Sequence, residues 1–438
     1  FRASPRSLRG LRLIRSQMKE QPITQEDLTL LGLLRLDMIG TVAVTPKGEP
    51  GLLSLAHLNP PSPQGPLYTL LKPTLVHQCP VSFETFIREL EADLQRQSDS
   101  HTMAQGQTAI LVSASPKSKA EQEERLAELA ELASSADLTV IDRLVQRTQS
   151  GHHRFQLGSG KLKDVLMQAM QKGADLLIFD QDLAPAQLRA IEEITDLTVI
   201  DRTQLILDIF AQRAHSREGK VQVELAQLRY LLPRLSGQGT SLSRLGGGIG
   251  SRGPGETKLE TDRRRIRERI DHLDREIEGF ARHQDQRRSR RGRQPFPVLS
   301  IVGYTNAGKS TLLNVLTNSQ VSAAARVFET LDTTSRRLRF PHGREIIITD
   351  TVGFIRDLPK DLLAAFRTTL EELRDADLLM HVVDAGAKDL DTHIAAVNIV
   401  LQSLTLDQIP QVLVFNKCDR LPSGQAEALC RRYGAIGI

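Results

Sequence analysis

Short apolar runs and helical patterns alternate along much of the chain. Between residues 107 and 215, runs rich in β-branched and other apolar residues are typical of buried strands, and the segments between them carry apolar residues at helical spacing. The predicted strands are 108–113, 138–141, 175–179 and 197–200, and the predicted helices are 119–132, 162–170, 184–194 and 203–214. Alternating strands and helices predict a small parallel sheet.

The alternation returns from residue 295 onward. Three strand-like apolar runs cover 298–303, 345–350 and 411–415, and each leads into a loop of glycine or polar residues. This pattern predicts a second α/β domain with a doubly wound sheet. A last short strand is expected at 433–438.

Residues 216–294 show a different pattern. An amphipathic helix is predicted at 221–232, and a glycine-dense loop with interspersed arginines follows at 237–256. A long charged helix is then predicted at 257–286. Its apolar residues form a narrow stripe with spacings of 4, 3 and 4, namely Ile266, Ile270, Leu273 and Ile277. Such a stripe favours packing against a second helix, so we predict a helical hairpin with 221–232.

The first 106 residues are less informative. Arginines recur among leucines near the start, so residues 2–15 are interpreted as a helix with a basic face, either solvated or in contact with RNA. A strand is predicted at 38–44 and a helix at 83–94. The predicted domains are 1–106, an N-terminal extension of unknown role; 107–215, an α/β domain; 216–294, the hairpin with its glycine-rich loop; and 295–438.

Composition narrows the class of protein. A length of 438 residues with 40% hydrophobic residues indicates a globular protein of two or three domains. No run of eighteen apolar residues occurs, so no membrane span is predicted, and no signal peptide is visible. The three cysteines are scattered, which favours neither a disulfide framework nor a zinc site and is typical of a reducing compartment. We expect a cytoplasmic monomer.

The strongest motif follows the strand at 298–303. Gly303, four further residues, and then Gly308, Lys309 and Ser310 give the spacing of a phosphate-binding loop between a strand and a helix. Glycines let the backbone N–H groups turn inward around an anion, and the positive end of the helix adds to the attraction. Lys309 supplies a charge for the phosphates, and the Ser310 hydroxyl can reach Mg²⁺. The predicted nucleotide-binding residues here are Gly303, Asn306, Ala307, Gly308, Lys309, Ser310 and Thr311.

Two later loops identify the nucleotide. Asp350 ends an apolar strand and can hold the Mg²⁺ shell, and Gly353 can bring a backbone N–H group to the γ-phosphate. After the strand at 411–415, the Asp419 carboxylate can accept two hydrogen bonds from guanine, a donor pair that adenine lacks. Asn416 can bond the base or brace the loop, and the Lys417 stem can cover the base.

These motifs together predict a GTPase. The fold class is α/β: an N-terminal parallel-sheet α/β domain with a helical hairpin, followed by a doubly wound P-loop GTPase domain from residue 295. A domain of this kind usually continues with another base-contacting loop, so we expect the domain at 295–438 to be incomplete at its carboxyl end. The predicted ligands are GTP or GDP with Mg²⁺.

Arginine density suggests a second ligand. Five arginines crowd the first part of the long helix beside the glycine loop, namely Arg263, Arg264, Arg265, Arg267 and Arg269. The pattern favours contacts with RNA phosphates, and a merely solvated face is the alternative. Residues 158–161 are similar to a phosphate loop but lack its first glycine and its hydroxyl residue, so a tight turn opening a helix is the better interpretation.

The chain resembles the HflX-type GTPases. The resemblance is carried by residues 223–228, by 232–235 and by GGIGSRGPGETKLE at 247–260, and it extends over about 107–438. It implies binding to the large ribosomal subunit and its rRNA, and GTP-dependent dissociation of stalled or stressed ribosomes. It also implies that Thr330 is the switch threonine that contacts Mg²⁺ and the γ-phosphate. Thr333 stands where the family usually has proline, and Thr333 and Thr334 stay open as alternatives to Thr330.

The predicted catalytic residues are Lys309, Thr330 and Gly353, and the predicted metal ligands are Ser310, Thr330 and Asp350. Phe354 follows Gly353 where many GTPases carry a glutamine that orients water. Phenylalanine cannot orient water, so we expect slow intrinsic hydrolysis that depends on help from the ribosome. The alternative function is an RNA-binding remodeller or scaffold with structural nucleotide and incidental hydrolysis. A second, ATP-hydrolysing site in the N-terminal domain also stays open.

Overall fold

Three β-sheets organise the part of the chain that the structure describes. This computed structural model describes residues 8, 10–18, 20–59, 65–79, 82–93, 106–148, 155–195, 197–235, 258–291, 296–317, 334–340, 345–351, 353–357, 362, 372–387 and 389–438. The chain divides into two units, Phe1–Arg202 and Thr203–Ile438. Two of the sheets belong to the first unit and one belongs to the second.

The first sheet is built from the N-terminal residues. Its strands are β1 (Arg12–Gln17), β2 (Met38–Val44), β3 (Pro50–Leu58), β4 (Tyr68–Leu70) and β5 (Thr74–Leu75). They lie in the order β1-β2-β3-β4, and β5 also pairs with β3. Helix α1 (Gln25–Leu33) connects β1 to β2, and residues 83–93 form helix α2.

The basic-helix interpretation of residues 2–15 was wrong for the described residues from Arg12 onward. They form β1, which pairs in parallel with β2 from Arg12–Met38 to Gln17–Ala43. The Arg15 guanidinium lies 2.5 Å from the Asp27 carboxylate, which also caps the start of α1. Pairing with a distant strand, rather than local periodicity, decides the conformation of this segment.

The second sheet has the predicted parallel α/β pattern. Its strands are β6 (Thr108–Ser115), β7 (Thr139–Arg147), β8 (Leu176–Phe179) and β9 (Thr198–Asp201), in the order β7-β6-β8-β9. All three strand pairs are parallel. The helices that alternate with these strands are α3 (Lys119–Ser135), α4 (Ser159–Lys172) and α5 (Pro185–Glu192), and α6 (Arg202–Arg213) follows β9 in the chain. Gly158 caps α4, so residues 158–161 open a helix as the turn interpretation predicted.

The helical hairpin packs as its apolar stripe predicted. Helices α7 (Arg217–Leu231) and α8 (Lys258–Arg291) share a small core around Leu225 and the fully buried Leu273. Ion pairs cross the hairpin on its outer side, for example from Arg229 to Asp274 at 2.7 Å. The glycine-rich loop at 237–256 lies outside the described residues.

The third sheet carries the nucleotide motifs. Its strands are β10 (Val298–Gly303), β11 (Thr334–Arg339), β12 (Glu345–Asp350), β13 (Leu378–Asp384), β14 (Gln411–Asn416) and β15 (Ile436–Gly437), and its helices are α9 (Lys309–Thr317), α10 (Leu390–Ser403) and α11 (Gln425–Tyr433). The order is β11-β12-β10-β13-β14-β15, with β11 antiparallel to β12 and the other neighbours parallel. The predicted α/β fold is confirmed. No helix in the described residues is long and apolar enough to cross a membrane.

Candidate nucleotide site

The loops after β10, β12 and β14 meet at the carboxyl edge of the third sheet, where open α/β sheets bind ligands. The loop after β10 needs both of its glycines. Gly303 has φ +155°, and a Cβ atom there would collide with the carbonyl oxygen of Val382. Gly308 has φ +91°, and a Cβ atom there would collide with the amide nitrogen of the Asn416 side chain. The strand end and the loop can therefore approach their neighbours only without side chains.

Lys309 is a buried cation in this loop. Only 7% of the residue is exposed, and its Nζ atom donates a hydrogen bond to the carbonyl oxygen of Tyr304 at 2.9 Å. Burial lowers the pKa of Lys309 to about 8, although the Asp350 carboxylate raises it in part. A cation that is poorly solvated in this way gains strongly from a phosphate anion.

The two predicted metal ligands that the structure describes lie together. The Ser310 hydroxyl donates to the Asp350 carboxylate at 2.6 Å, and Asp350 is fully buried. The Thr351 N–H group donates to the other carboxylate oxygen at 3.0 Å, which fixes the orientation of Asp350. Hydroxyl and carboxylate oxygens are the donors that Mg²⁺ prefers, so this pair fits a magnesium site. Thr330 and Thr333 lie outside the described residues.

Gly353 lies directly against the phosphate loop. A Cβ atom at this position would lie 2.8 Å from the Thr305 methyl group and 3.1 Å from Lys309 Nζ, so a side chain would disturb both. The next residue, Phe354, is paired by its backbone. Its N–H group donates to the Gly303 carbonyl at 3.1 Å, and its carbonyl accepts from the Thr305 N–H group at 2.8 Å. Its ring is 1% exposed and therefore buried.

The loop after β14 is tied to the phosphate loop by its side chains. The Asn416 amide donates to the carbonyl oxygen of Ala307 at 2.9 Å. Lys417, in the left-handed region at φ +60°, donates to the carbonyl oxygen of Asn306 at 2.8 Å. Asp419 is exposed in the turn that follows. The base-recognition loop and the phosphate loop are thus held in one fixed arrangement.

Three other residues that the sequence predicts to bind nucleotide lie on or next to the phosphate loop. Asn306 is exposed and has φ +60°, Ala307 is buried beneath the loop, and Thr311 is exposed on the first turn of α9. The structure therefore brings the backbone of Asn306 and Ala307, rather than their side chains, into contact with the base-recognition loop.

The sequence interpretation missed several residues of the site. Asp384, at the end of β13, accepts a hydrogen bond from Lys417 Nζ at 2.7 Å. Its position at the end of an apolar strand, like that of Asp350, is the signal that could have found it. The Tyr304 ring stacks on His393 with the ring centroids 4.0 Å apart, and the Tyr304 hydroxyl accepts from the Arg356 N–H group at 2.8 Å. No sequence pattern indicates that contact.

His381 is a second unexpected residue. It lies on β13 with 2% of its surface exposed, and its Nε2 atom has no partner among the described residues. Burial and the nearby Lys309 charge lower the pKa of His381 to about 4. Histidine in this core position is therefore neutral at physiological pH.

The phosphate loop, the acidic strand end and the base-recognition loop on a doubly wound sheet define a P-loop GTPase. Three family models match the chain: one described as GTP-binding GTPase N-terminal at 123–211, one as GTP-binding GTPase Middle Region at 213–291, and one as 50S ribosome-binding GTPase at 298–417. No group of three or more histidine, cysteine, aspartate or glutamate residues within the described ranges could hold a metal ion.

Proteins named GTPase HflX are similar to this chain over most of their length. The protein of Caldanaerobacter subterraneus subsp. tengcongensis is 51% identical over 70% of this chain and 72% of its own. That of Alkalihalophilus pseudofirmus is 49% identical, over 68% and 71%, and that of Escherichia coli is 47% identical, over 68% and 70%. The chain belongs to the GTPase HflX family, as its motifs predicted. It hydrolyses GTP to GDP and phosphate.

Proposed function

We propose that this chain is a GTP-driven switch that binds the large ribosomal subunit through its rRNA and dissociates stalled or stressed ribosomes in the cytoplasm. The observation that carries the proposal is a GTPase site combined, in one unit of the chain, with an arginine-rich helical hairpin. The match to a family described as 50S ribosome-binding GTPase supports the choice of partner.

The GTPase site suits a switch. Lys309 and the loop N–H groups hold the phosphates, and Gly353 lies close enough to Lys309 to respond to the γ-phosphate. Ser310 and Asp350 would hold Mg²⁺ together with the expected switch threonine, Thr330 or its alternatives Thr333 and Thr334, and the ion would neutralise charge on the phosphates. Asn416, Lys417 and Asp419 select guanine. Loss of the γ-phosphate releases the segments around Thr330 and Gly353, and the partner with them.

The described residues supply little help for hydrolysis itself. The Phe354 ring is buried, and its backbone is paired on both sides with the phosphate loop. The Phe354 side chain has no polar group that could orient the attacking water. Intrinsic GTP hydrolysis is therefore slow, and the missing group comes from the ribosome.

The hairpin provides the cationic surface. Arg264, Arg265 and Arg267 are exposed on α8, whereas Arg269 is engaged by Glu224 of α7 at 2.7 Å. Exposed arginine side chains can reach RNA phosphates directly. Three exposed arginines on one stretch of helix therefore suit contacts with the rRNA backbone.

The deciding experiment measures GTP hydrolysis with and without large ribosomal subunits, with small subunits as the matched control. We expect stimulation of at least about tenfold by large subunits only. Dissociation of intact ribosomes, followed by light scattering, should require GTP or a non-hydrolysable analogue and should fail with GDP. A rate of GTP hydrolysis that does not change when ribosomal subunits are added would indicate another RNA partner. No turnover under either condition would favour the scaffold alternative.

A further inference from the structure

Two of the three cysteines meet beside the base-recognition loop. Cys418 opens the short 3-10 turn Cys418–Arg420 after β14, and Cys430 lies on α11. A Cβ atom at Gly437 of β15 would lie 3.0 Å from Cys430 Sγ and 3.2 Å from Cys418 Sγ, so both sulfur atoms lie beside Gly437.

The two cysteines lie in a partly buried, largely apolar setting. Both residues are free cysteines with intermediate burial, so a small reagent can reach them. Both pack against the cluster around the buried Phe415, and Cys418 Sγ also donates to the Phe415 carbonyl at 3.3 Å. Among the described residues, no third histidine, cysteine or acidic side chain completes a metal site there.

We propose that Cys418 and Cys430 form a reversible disulfide bond that weakens guanine-nucleotide binding, an inference that rests on the proposed role of Asp419 in binding guanine. The bond links the turn that carries Asp419 to α11. It would make the base-recognition loop a site of oxidative modification.

The oxidant is a low-molecular-weight disulfide such as oxidised glutathione. One cysteine thiolate attacks a sulfur of the reagent, which forms a mixed disulfide and releases one thiolate. The second cysteine thiolate then attacks the protein sulfur and releases the other. Two protein thiols are oxidised, one reagent disulfide is reduced to two thiols, and two protons and two electrons leave the pair. Because burial raises the pKa of the Cys418 thiol, the bond should form faster as the pH rises.

The cost to nucleotide binding follows from the geometry of the bond. Sulfur atoms in a disulfide are about 2.05 Å apart, which is much closer than two thiols that are not bonded to each other. To form the bond, the turn at Cys418 would shift toward α11, while Asn416 and Lys417 hold the preceding residues on the phosphate loop. Asp419, directly after Cys418, cannot then keep its position relative to the phosphate loop.

The test treats the whole chain with oxidised glutathione and measures two quantities. Mass spectrometry detects the loss of two hydrogen atoms, and a fluorescent GDP analogue reports affinity before and after reduction with dithiothreitol. We expect the disulfide to form and affinity to fall by about tenfold, reversibly. Cys418→Ala and Cys430→Ala should each abolish both effects, and Cys79→Ala, the matched control, should retain both.

Mixed disulfides with glutathione in place of the internal bond would overturn the inference. An internal bond that leaves affinity within about twofold would also overturn it, because the link would then have no effect on the site. Failure of the proposed guanine role is distinguishable: the reduced protein would then bind the GDP analogue no better than the matching ADP analogue.

Discussion

At the residue scale, the site depends on a few side chains held by backbone groups. Asn416 and Lys417 donate to carbonyl oxygens of the phosphate loop, so the base-recognition loop and the phosphate loop constrain each other. Asp419 is exposed beside them. On the proposed assignment, such preorganisation would let the Asp419 carboxylate discriminate strongly between bases, because a wrong base would leave it unpaired.

Asp419→Asn should weaken GTP binding by at least about a hundredfold, because the amide cannot accept both guanine hydrogen bonds and carries no charge. Xanthosine triphosphate should regain affinity, since its oxygen at the guanine amino position can accept from the new amide. Calorimetric titration measures the affinities for GTP and for xanthosine triphosphate. Asp407→Asn, an exposed aspartate before β14, is the matched control and should change neither affinity. Unchanged GTP binding in Asp419→Asn would contradict the guanine assignment.

His381 should make the protein acid-labile. Its pKa is about 4 in the folded chain and about 6.5 in the unfolded chain. Between these values only the unfolded state takes up the proton, so the free energy of unfolding falls as the pH drops from 6.5 to 4, by an amount on the order of 3 kcal/mol. Urea unfolding across this range should show a smaller pH dependence for His381→Asn.

His272→Asn is the control for that measurement, because His272 is exposed on α8. It should preserve the pH dependence of the unmodified chain. Equal pH dependence in the unmodified chain and in His381→Asn would show that the buried imidazole does not control acid stability.

At the element scale, short contacts between strands and helices decide what each motif can do. Phe354 follows a glycine at the edge of the site, yet its backbone pairs with Gly303 and Thr305 and its ring is buried. The hairpin shows the same control by packing, because Leu273 of α8 is buried against Val221 and Leu225 of α7. In both places a single residue joins two elements, through its backbone at Phe354 and through its side chain at Leu273.

Phe354→Gln should not restore fast hydrolysis. The paired backbone directs the side chain into the interior, so intrinsic single-turnover GTP hydrolysis should rise by less than about threefold. The buried amide should instead cost about 1–3 kcal/mol of stability, seen as a lower melting temperature. Phe354→Leu is the apolar control and should lose less stability. An acceleration of more than about tenfold in Phe354→Gln would refute the buried position.

Leu273→Ala should destabilise the hairpin by about 3 kcal/mol, because it removes a fully buried side chain from a small core. Guanidinium unfolding followed by circular dichroism measures the loss. Ile399→Ala is the matched control, since Ile399 on α10 is 64% exposed and should change stability by less than about 0.5 kcal/mol. Equal effects at both positions would contradict the hairpin packing.

At the scale of the whole molecule, charge is unevenly distributed. The net charge is only +4 for 438 residues, but arginines are concentrated at the start of α8. There Arg264 and Arg265 form ion pairs at the long distances of 3.8 and 4.0 Å with partly exposed carboxylates. Pairs of this kind contribute little to stability, so the surface is available for a polyanion.

Changing Arg264, Arg265 and Arg267 together to alanine should weaken binding to large ribosomal subunits and leave intrinsic GTP hydrolysis unchanged. The slope of log affinity against log salt concentration should fall by about two, because fewer counterions are released. Sedimentation at several salt concentrations measures the slope. Arg431→Ala with Arg432→Ala, two exposed arginines on α11, is the control and should keep the slope. Equal slopes in all proteins would favour a solvated face.

Much of the fold and the site could be predicted from the sequence alone. The alternation of apolar runs and helical patterns predicted the parallel sheet β6–β9 and the strands β10, β12 and β14 of the third sheet, because strand and helix periodicities are local properties. The phosphate loop was also predicted, from the spacing of Gly303, Gly308 and Lys309. The structure explains the two glycines, because a side chain at either position would collide with a neighbour. The apolar stripe of α8 predicted its packing partner for the same reason.

Other features depend on residues that are distant in sequence, so only the tertiary structure decided them. Residues 12–17 are a strand because β2 offers parallel hydrogen bonds, although their local pattern also suits a helix. Asp384 meets Lys417, and Cys418 meets Cys430, only where separate elements converge. The sequence by itself determined the elements of the second sheet, the helical hairpin and the motifs of the nucleotide site. Packing determined which side chains are buried, paired or exposed, because long-range contacts have no local periodicity.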